Sequence, residues 1–148
     1  MSKSDTYEND LMLLVFNNIA IANIGDAAGL RATTTPGSLW WSLHTADPGE
    51  TGTAVTNETA YTGYARVAAA RASGAGGFTV TGNSVSPPAN IDFGICTASP
   101  GTPITHFGIV NTSSGAGKLL YSGTVTPNIT MAVNVIPRLT TASTITED

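Results

Sequence analysis

A chain of 148 residues is the size of one domain and long enough to bury a core without staples. Only 11% of its residues are charged, against about 25% in ordinary soluble domains, and the net charge is −4; six scattered basic residues make no phosphate-tracking stripe, which excludes a nucleic-acid binder. The single Cys96 excludes an internal disulfide, and the apolar run Leu11–Phe16 follows acidic residues and is far too short to span a membrane or to act as a signal peptide.

The N-terminal segment reads as a helix over 5–24. Asp5 followed by Glu8 resembles a capping box with Asp5 at the cap, and Asp5, Glu8 and Asp10 suit the positive end of a helix dipole. Tyr7, Leu11, Leu14, Val15, Asn18, Ile19 and Ala22 share one stripe at helical spacing, the face expected to lie on a sheet. Leu13, Phe16 and Ala20 form a second apolar stripe, which reads either as a contact for another subunit or as a helix sunk in its own core. Gly25 and Gly29 close the helical region, and 31–37, threonine-rich with Pro36, reads as a loop.

Ser38–Arg71 is the stretch around which the rest is arranged: a strand, a long polar excursion and a second strand. Alternation in 38–45 places Leu39, Trp41 and Leu43 on one face and Trp40, Ser42 and His44 on the other. Burying an indole removes roughly 150–250 Å² from water, worth about 4–6 kcal/mol at most, so Trp41 is expected at the centre of the core. Trp40 then faces outward and needs a second cover. Asp47-Pro48-Gly49 begins a turn and a polar excursion to Thr59; Asp47, Glu50 and Glu58 lack the alternating ligands of a calcium loop, so turn chemistry is the better reading. In the strand 64–71, Arg66 and Arg71 fall on opposite faces under strict alternation, so either a bulge intervenes or one arginine points into an interface.

The remaining half is a run of short β segments with turn signals between them. Phe78 and Val80 point one way, Gly82-Asn83 turns the chain, and Pro87-Pro88 blocks pairing. Ile91, Phe93 and Ile95 alternate inward, then Thr105, Phe107 and Ile109 alternate with His106 and Gly108. Leu119, Tyr121 and Val125 share a face, Pro127-Asn128 turns into a strand through Ile129, Met131, Val133 and Val135, and 139–146 gives a last strand. The sum is a mainly β, single-domain antiparallel β-sandwich over 38–148, jelly-roll-like with about eight strands, behind one N-terminal helix, the whole of 1–148 forming one domain.

No catalytic constellation emerges. His44 near Asp47 invites a hydrolase, but there is no G-x-S-x-G elbow, and a strand histidine held by its surroundings is the simpler state. His44 and His106 supply at most two metal ligands, and Gly115-Ala-Gly117-Lys118 lacks both the first glycine and the hydroxyl residue of a phosphate-binding loop. Acceptor patterns at Asn57, Asn111 and Asn128 are short enough to arise by chance. The expectation is a non-enzyme with no cofactor and no metal.

Several stretches carry a family likeness: Leu43–Gly49 (LHTADPG), Asn57-Glu58, Tyr61–Val67 (YTGYARV), Thr105–Ile109, Gly115–Gly123 and the ending Ile145–Asp148. With the helix they resemble a family of small virion proteins of tailed bacteriophages, labelled tail fibre protein or capsid decoration (cement) protein. The likeness spans nearly the whole chain; the combination of LHTADPG with YTGYARV is specific, each hairpin motif alone is weak, and tandem Trp40-Trp41 stands where a smaller or single aromatic residue is expected. As a cement protein, the resemblance implies a homodimer or homotrimer on the outer capsid surface that clamps neighbouring major capsid protein subunits, made in the bacterial host cytoplasm and carried in the virion. Candidate interface residues are Leu13, Phe16, Trp40, Asp47, Glu50, Glu58, Arg66 and Arg71. The alternatives are a tail fibre or baseplate component and a module that binds host surface glycan through exposed Trp40 or Tyr61.

Overall fold

The computed structural model describes residues 2–147; Met1 and Asp148, which the expected domain 1–148 includes, lie outside the described residues. Among the described residues are one helix, α1 (Asp5–Asn17), and nine strands: β1 (Ser38–His44), β2 (Val67–Ala70), β3 (Thr79–Thr81), β4 (Ser84–Ser86), β5 (Ile91–Asp92), β6 (Ile104–Val110), β7 (Leu119–Ile129), β8 (Arg138–Leu139) and β9 (Ile145–Thr146). The fold is mainly β, with antiparallel sheets and an N-terminal helix, in keeping with a β-sandwich. The chain forms two compact units, the first from the stretches through Ser38, Ala69–Ala89 and from Thr140 onward, the second from Leu39–Ala68 and Asn90–Leu139.

In the first unit α1 packs on β3 and β4. Its cap is Ser4 rather than Asp5: Ser4 is extended and its Oγ accepts the Tyr7 N–H at 3.4 Å, while Asp5 and Glu8 occupy the first turn. The residues facing inward are Glu8, Met12 and Phe16, an i, i+4, i+8 row. This row falls between the two expected stripes and shares only Phe16 with the second. Phe16 is fully buried edge-on against Phe78, with ring centroids 4.9 Å apart, whereas Tyr7 and Ile19 from the expected inner stripe are 37% and 49% exposed. The sheet beneath, in the order β3-β4-β9, is small, and only this narrow row of the helix is buried. Val85 pairs with both Val80 and Ile145 and closes this core.

The helix also stops well short of 24. Asn18 adopts a left-handed conformation (φ 56°), Ile19 N–H returns to the Leu13 carbonyl at 3.1 Å, and the Asn18 amide holds Thr33 through three bonds of 2.8–2.9 Å. Two carbonyls of the last turn are taken from across the chain: Arg71 Nη2 donates to Leu14 O at 2.6 Å and Nε to Val15 O at 2.7 Å.

The main sheet has the order β2-β1-β6-β7; β1–β6 and β6–β7 pair antiparallel in the second unit. Trp41 lies opposite Ile109 and Leu43 opposite Phe107; Trp41, Leu43 and Ile109 are fully buried, and the Trp41 ring sits 5.8 Å from that of Phe107, so Trp41 is the core centre expected from the alternation. Ser42 and His44, expected to face outward, are fully buried as well. β1 is therefore covered on both faces along its second half, and Trp40 is half-buried.

Elsewhere the alternation slips. Between Phe93 and Cys96 the inward phase shifts by one, leaving Ile95 43% exposed while Cys96 is sealed, its thiol directed at Ala98 O. The strand expected through Val133 does not form: β7 runs on to Ile129, and the chain then turns at Ala132–Val135, with Asn134 at φ 71° and Val133 51% exposed. The last expected strand splits into β8, which pairs with β5, and β9, which pairs with β4.

Candidate functional site

The cover on the second face of β1 is the polar excursion itself. Thr45 N–H bonds to Asn57 O at 2.8 Å and Thr59 N–H to Leu43 O at 2.9 Å, so 57–59 runs beside the end of β1. His44 Nδ1 lies 2.8 Å from Thr56 O and Nε2 2.9 Å from Ser42 Oγ; a carbonyl only accepts, so Nδ1 carries the proton and Nε2 accepts from the serine. Gly108, opposite Ser42, makes this possible: a Cβ there would stand 2.7 Å from Ser42 Oγ and 2.9 Å from His44 Nε2. Burial holds the His44 imidazole below its ordinary pKa, the Thr56 carbonyl opposing that only in part. A serine hydrogen-bonded to a histidine is a nucleophile–base geometry, but both residues have zero exposure, so the pair is a sealed structural contact.

The excursion is pinned by Arg66, whose side chain is only 2% exposed. Nε and Nη2 grip the two carboxylate oxygens of Glu58 at 2.6 and 2.7 Å. Nη1 donates to Thr112 O and Oγ1 at 3.0 and 2.9 Å, and Nη2 also reaches Ala54 O at 3.2 Å and Gly115 O at 3.0 Å. Every N–H of the guanidinium thus has an acceptor, which is what allows a charged fork to be buried. Tyr64 completes the network: its hydroxyl accepts the Leu43 N–H at 3.1 Å and donates to Glu58 Oε1 at 2.8 Å. Burial, chiefly, drives the Tyr64 phenol far above its ordinary pKa, so it stays a donor.

Two clefts flank this braced loop. One, of about 380 Å³, lies between the turn carrying Asp47, Gly49, Glu50 and Gly52 and the residues Leu119–Ser122 of β7. The other, of about 360 Å³, is bounded by Glu58–Tyr61, Tyr64–Arg66 and Ser113–Gly115. Asp47 is committed to turn chemistry, Oδ1 accepting the Gly49 N–H at 2.9 Å, while Glu50 is exposed. Among the described residues no group of three or more histidine, cysteine, aspartate or glutamate side chains is placed to hold a metal ion, and no helix is long and apolar enough to cross a membrane.

The expected interface residues therefore scatter. Asp47 and Glu50 line the first cleft together, and Glu58 and Arg66 meet in the second as an internal brace, which removes Arg66 from the surface. Phe16 belongs to the core of the first unit, Arg71 caps the helix end, and Leu13 and Trp40 are half-buried. Tyr61, expected as an exposed stacking ring, is 3% exposed; its hydroxyl donates to Gly94 O at 2.7 Å, and burial with the nearby Cys96 pushes its pKa up to about 12. The residues sequence reasoning missed are Tyr64, Thr56 and Thr112, whose roles come from loop geometry, and Tyr121, whose place in a cleft depends on which strand ends the sheet.

Residues 2–146 match the family described as podophage GP4 fiber I protein gp80, which makes this a structural protein of tailed-phage virions. The chain belongs to that family. No curated protein matches it.

Proposed function

We propose that the chain is a non-enzymatic subunit of a podophage virion fibre, working by burying surface against other virion proteins. The observation that carries this reading is the family match, which spans 2–146 and so takes in both compact units and the braced loop between β1 and β2. The sealed Ser42–His44 pair supports a role in binding rather than turnover. Repetition of many modest contacts around a particle gives such a subunit its hold without one strong bond.

Capsid decoration, with the major capsid protein as partner, is the second reading. It is favoured by the absence of a shaft-like repeat and by a chain that is only 11% charged. Copy number and position on purified virions separate the two. Gold-labelled antibody on an appendage with a few copies per particle supports the fibre reading, whereas label over the whole shell with a lattice-scale number of copies replaces it with decoration. Tight binding of the purified chain to host surface polysaccharide adds adhesion to the fibre role; hydrolysis of that polysaccharide overturns the non-enzymatic reading.

A further inference from the structure

The outer edge of the main sheet is unlike every other edge in the molecule. β3, β5, β8 and β9 are two or three residues long, β2 has four, and the β5–β8 ribbon carries the exposed Asp92–Arg138 pair. Short strands and surface charges are the usual protections against edge-to-edge pairing. β7 has neither: it is the outermost strand of its sheet, eleven residues long, and its sequence LLYSGTVTPNI contains no charge. The first cleft meets its opening residues, Leu119–Ser122, with the turn carrying Asp47 and Glu50 as the other wall. Tyr121 pairs with Ile109 and Ser122 with Gly108, on opposite faces of the sheet, yet both line that cleft, so the cleft opens on the backbone edge itself.

We infer that the β7 edge pairs with the β7 edge of a second copy of this chain, antiparallel about a two-fold axis at Gly123. The occupant follows from the strand's own sequence. Against β6 the strand keeps a regular register only over Tyr121–Thr124, the stretch taken as the centre of the pairing, and Pro127 has no N–H to extend it. Of the registers that keep each face continuous, the one centred on Gly123 sets Tyr121 opposite Val125 and Ser122 opposite Thr124. These are an aromatic–β-branched pair and a hydroxyl pair, both among the cross-strand combinations that stabilise sheets. No like charges meet, because the strand has none. Ser122 and Thr124 are exposed and free to take part, while Gly123 already packs its bare Cα against the Phe107 ring, where a Cβ would come within 2.8 Å. An isologous contact of this kind closes at two copies, and it holds whether the subunit sits on a fibre or on a shell.

The test uses the full chain and two double variants, each checked for an unchanged thermal unfolding midpoint measured at low concentration. Sedimentation equilibrium over a concentration series should show a monomer–dimer equilibrium for the native sequence. Ser122→Lys with Thr124→Lys places lysine opposite lysine and should weaken association by at least about tenfold. Ser122→Lys with Thr124→Glu places lysine opposite glutamate and should dimerise at least as well as the native chain. A native chain that stays monomeric up to its solubility limit, or assembles as a trimer, overturns the two-fold pairing. Equal behaviour of the two variants, whether both associate or both fail, overturns the register.

Discussion

Arg66 and Arg71 stand five residues apart, and both were expected to face an interface, yet each is spent inside its own unit. Arg66 braces the excursion by joining a carboxylate to three carbonyls on two segments, Ala54 in the excursion and Thr112 and Gly115 in the turn after β6. Among the described residues Arg71 meets carbonyls instead of a carboxylate: it takes those of Leu14 and Val15 at the negative end of α1, with the Pro36 carbonyl more distant at 3.3 Å. With six basic residues in all, the chain spends these two in different ways. Where a loop must lie on a buried strand, the cation comes with its own anion; where a helix must end early, the helix dipole serves in place of one.

The largest effect is expected of Arg66→Ala. It strands the Glu58 carboxylate and leaves three carbonyls without their donor, so stability should fall by about 3–5 kcal/mol in denaturant unfolding, with exchange protection lost over 54–66 and 112–115. A loss under about 1 kcal/mol would place the pair with ordinary surface bridges instead. Arg71→Ala should cost less, about 2 kcal/mol, because only neutral acceptors are released; its signature is faster hydrogen exchange at 14–19 with no change at 54–66.

A pH series sharpens the same contrast within the second unit. The folded His44 refuses a proton that the unfolded chain accepts near pH 6.5, so stability should decline as pH falls below that value, by at most about 1.4 kcal/mol per pH unit. His44→Gln should remove this slope between pH 6.5 and the carboxylate range, and a slope that persists would assign it to another group. The smallest effect belongs to the start of α1: Ser4→Ala should cost about 0.5 kcal/mol, in line with a cap bond of 3.4 Å, and leave the Arg71 end of the helix unchanged.

Much of the β order was readable from alternation alone, because a strand with Leu39, Trp41 and Leu43 on one face has only one way to bury its indole. The second face of β1 was not readable: Ser42 and His44 are polar, and their burial depends on an excursion that carries no periodicity. The inner side of α1 stayed hidden for a different reason. Both of its stripes are apolar, and the row that is buried, Glu8, Met12 and Phe16, runs between them. Helix length was lost to two tertiary events, the left-handed Asn18 and the capture of carbonyls by Arg71. Of the candidate site, Asp47 and Glu50 were placed on a loop that does line a cleft, whereas the Glu58–Arg66 brace links residues eight apart through a turn, a spacing to which no periodic pattern points.

Cys96 gives the second unit a built-in reporter. It is the chain's one thiol, completely enclosed, so a bulky alkylating dye has nothing to react with while that unit stays shut. Labelling speed then reads how often the unit opens, first for free protein and afterwards for assembled particles, and the ratio of the two speeds measures how firmly neighbours hold it closed.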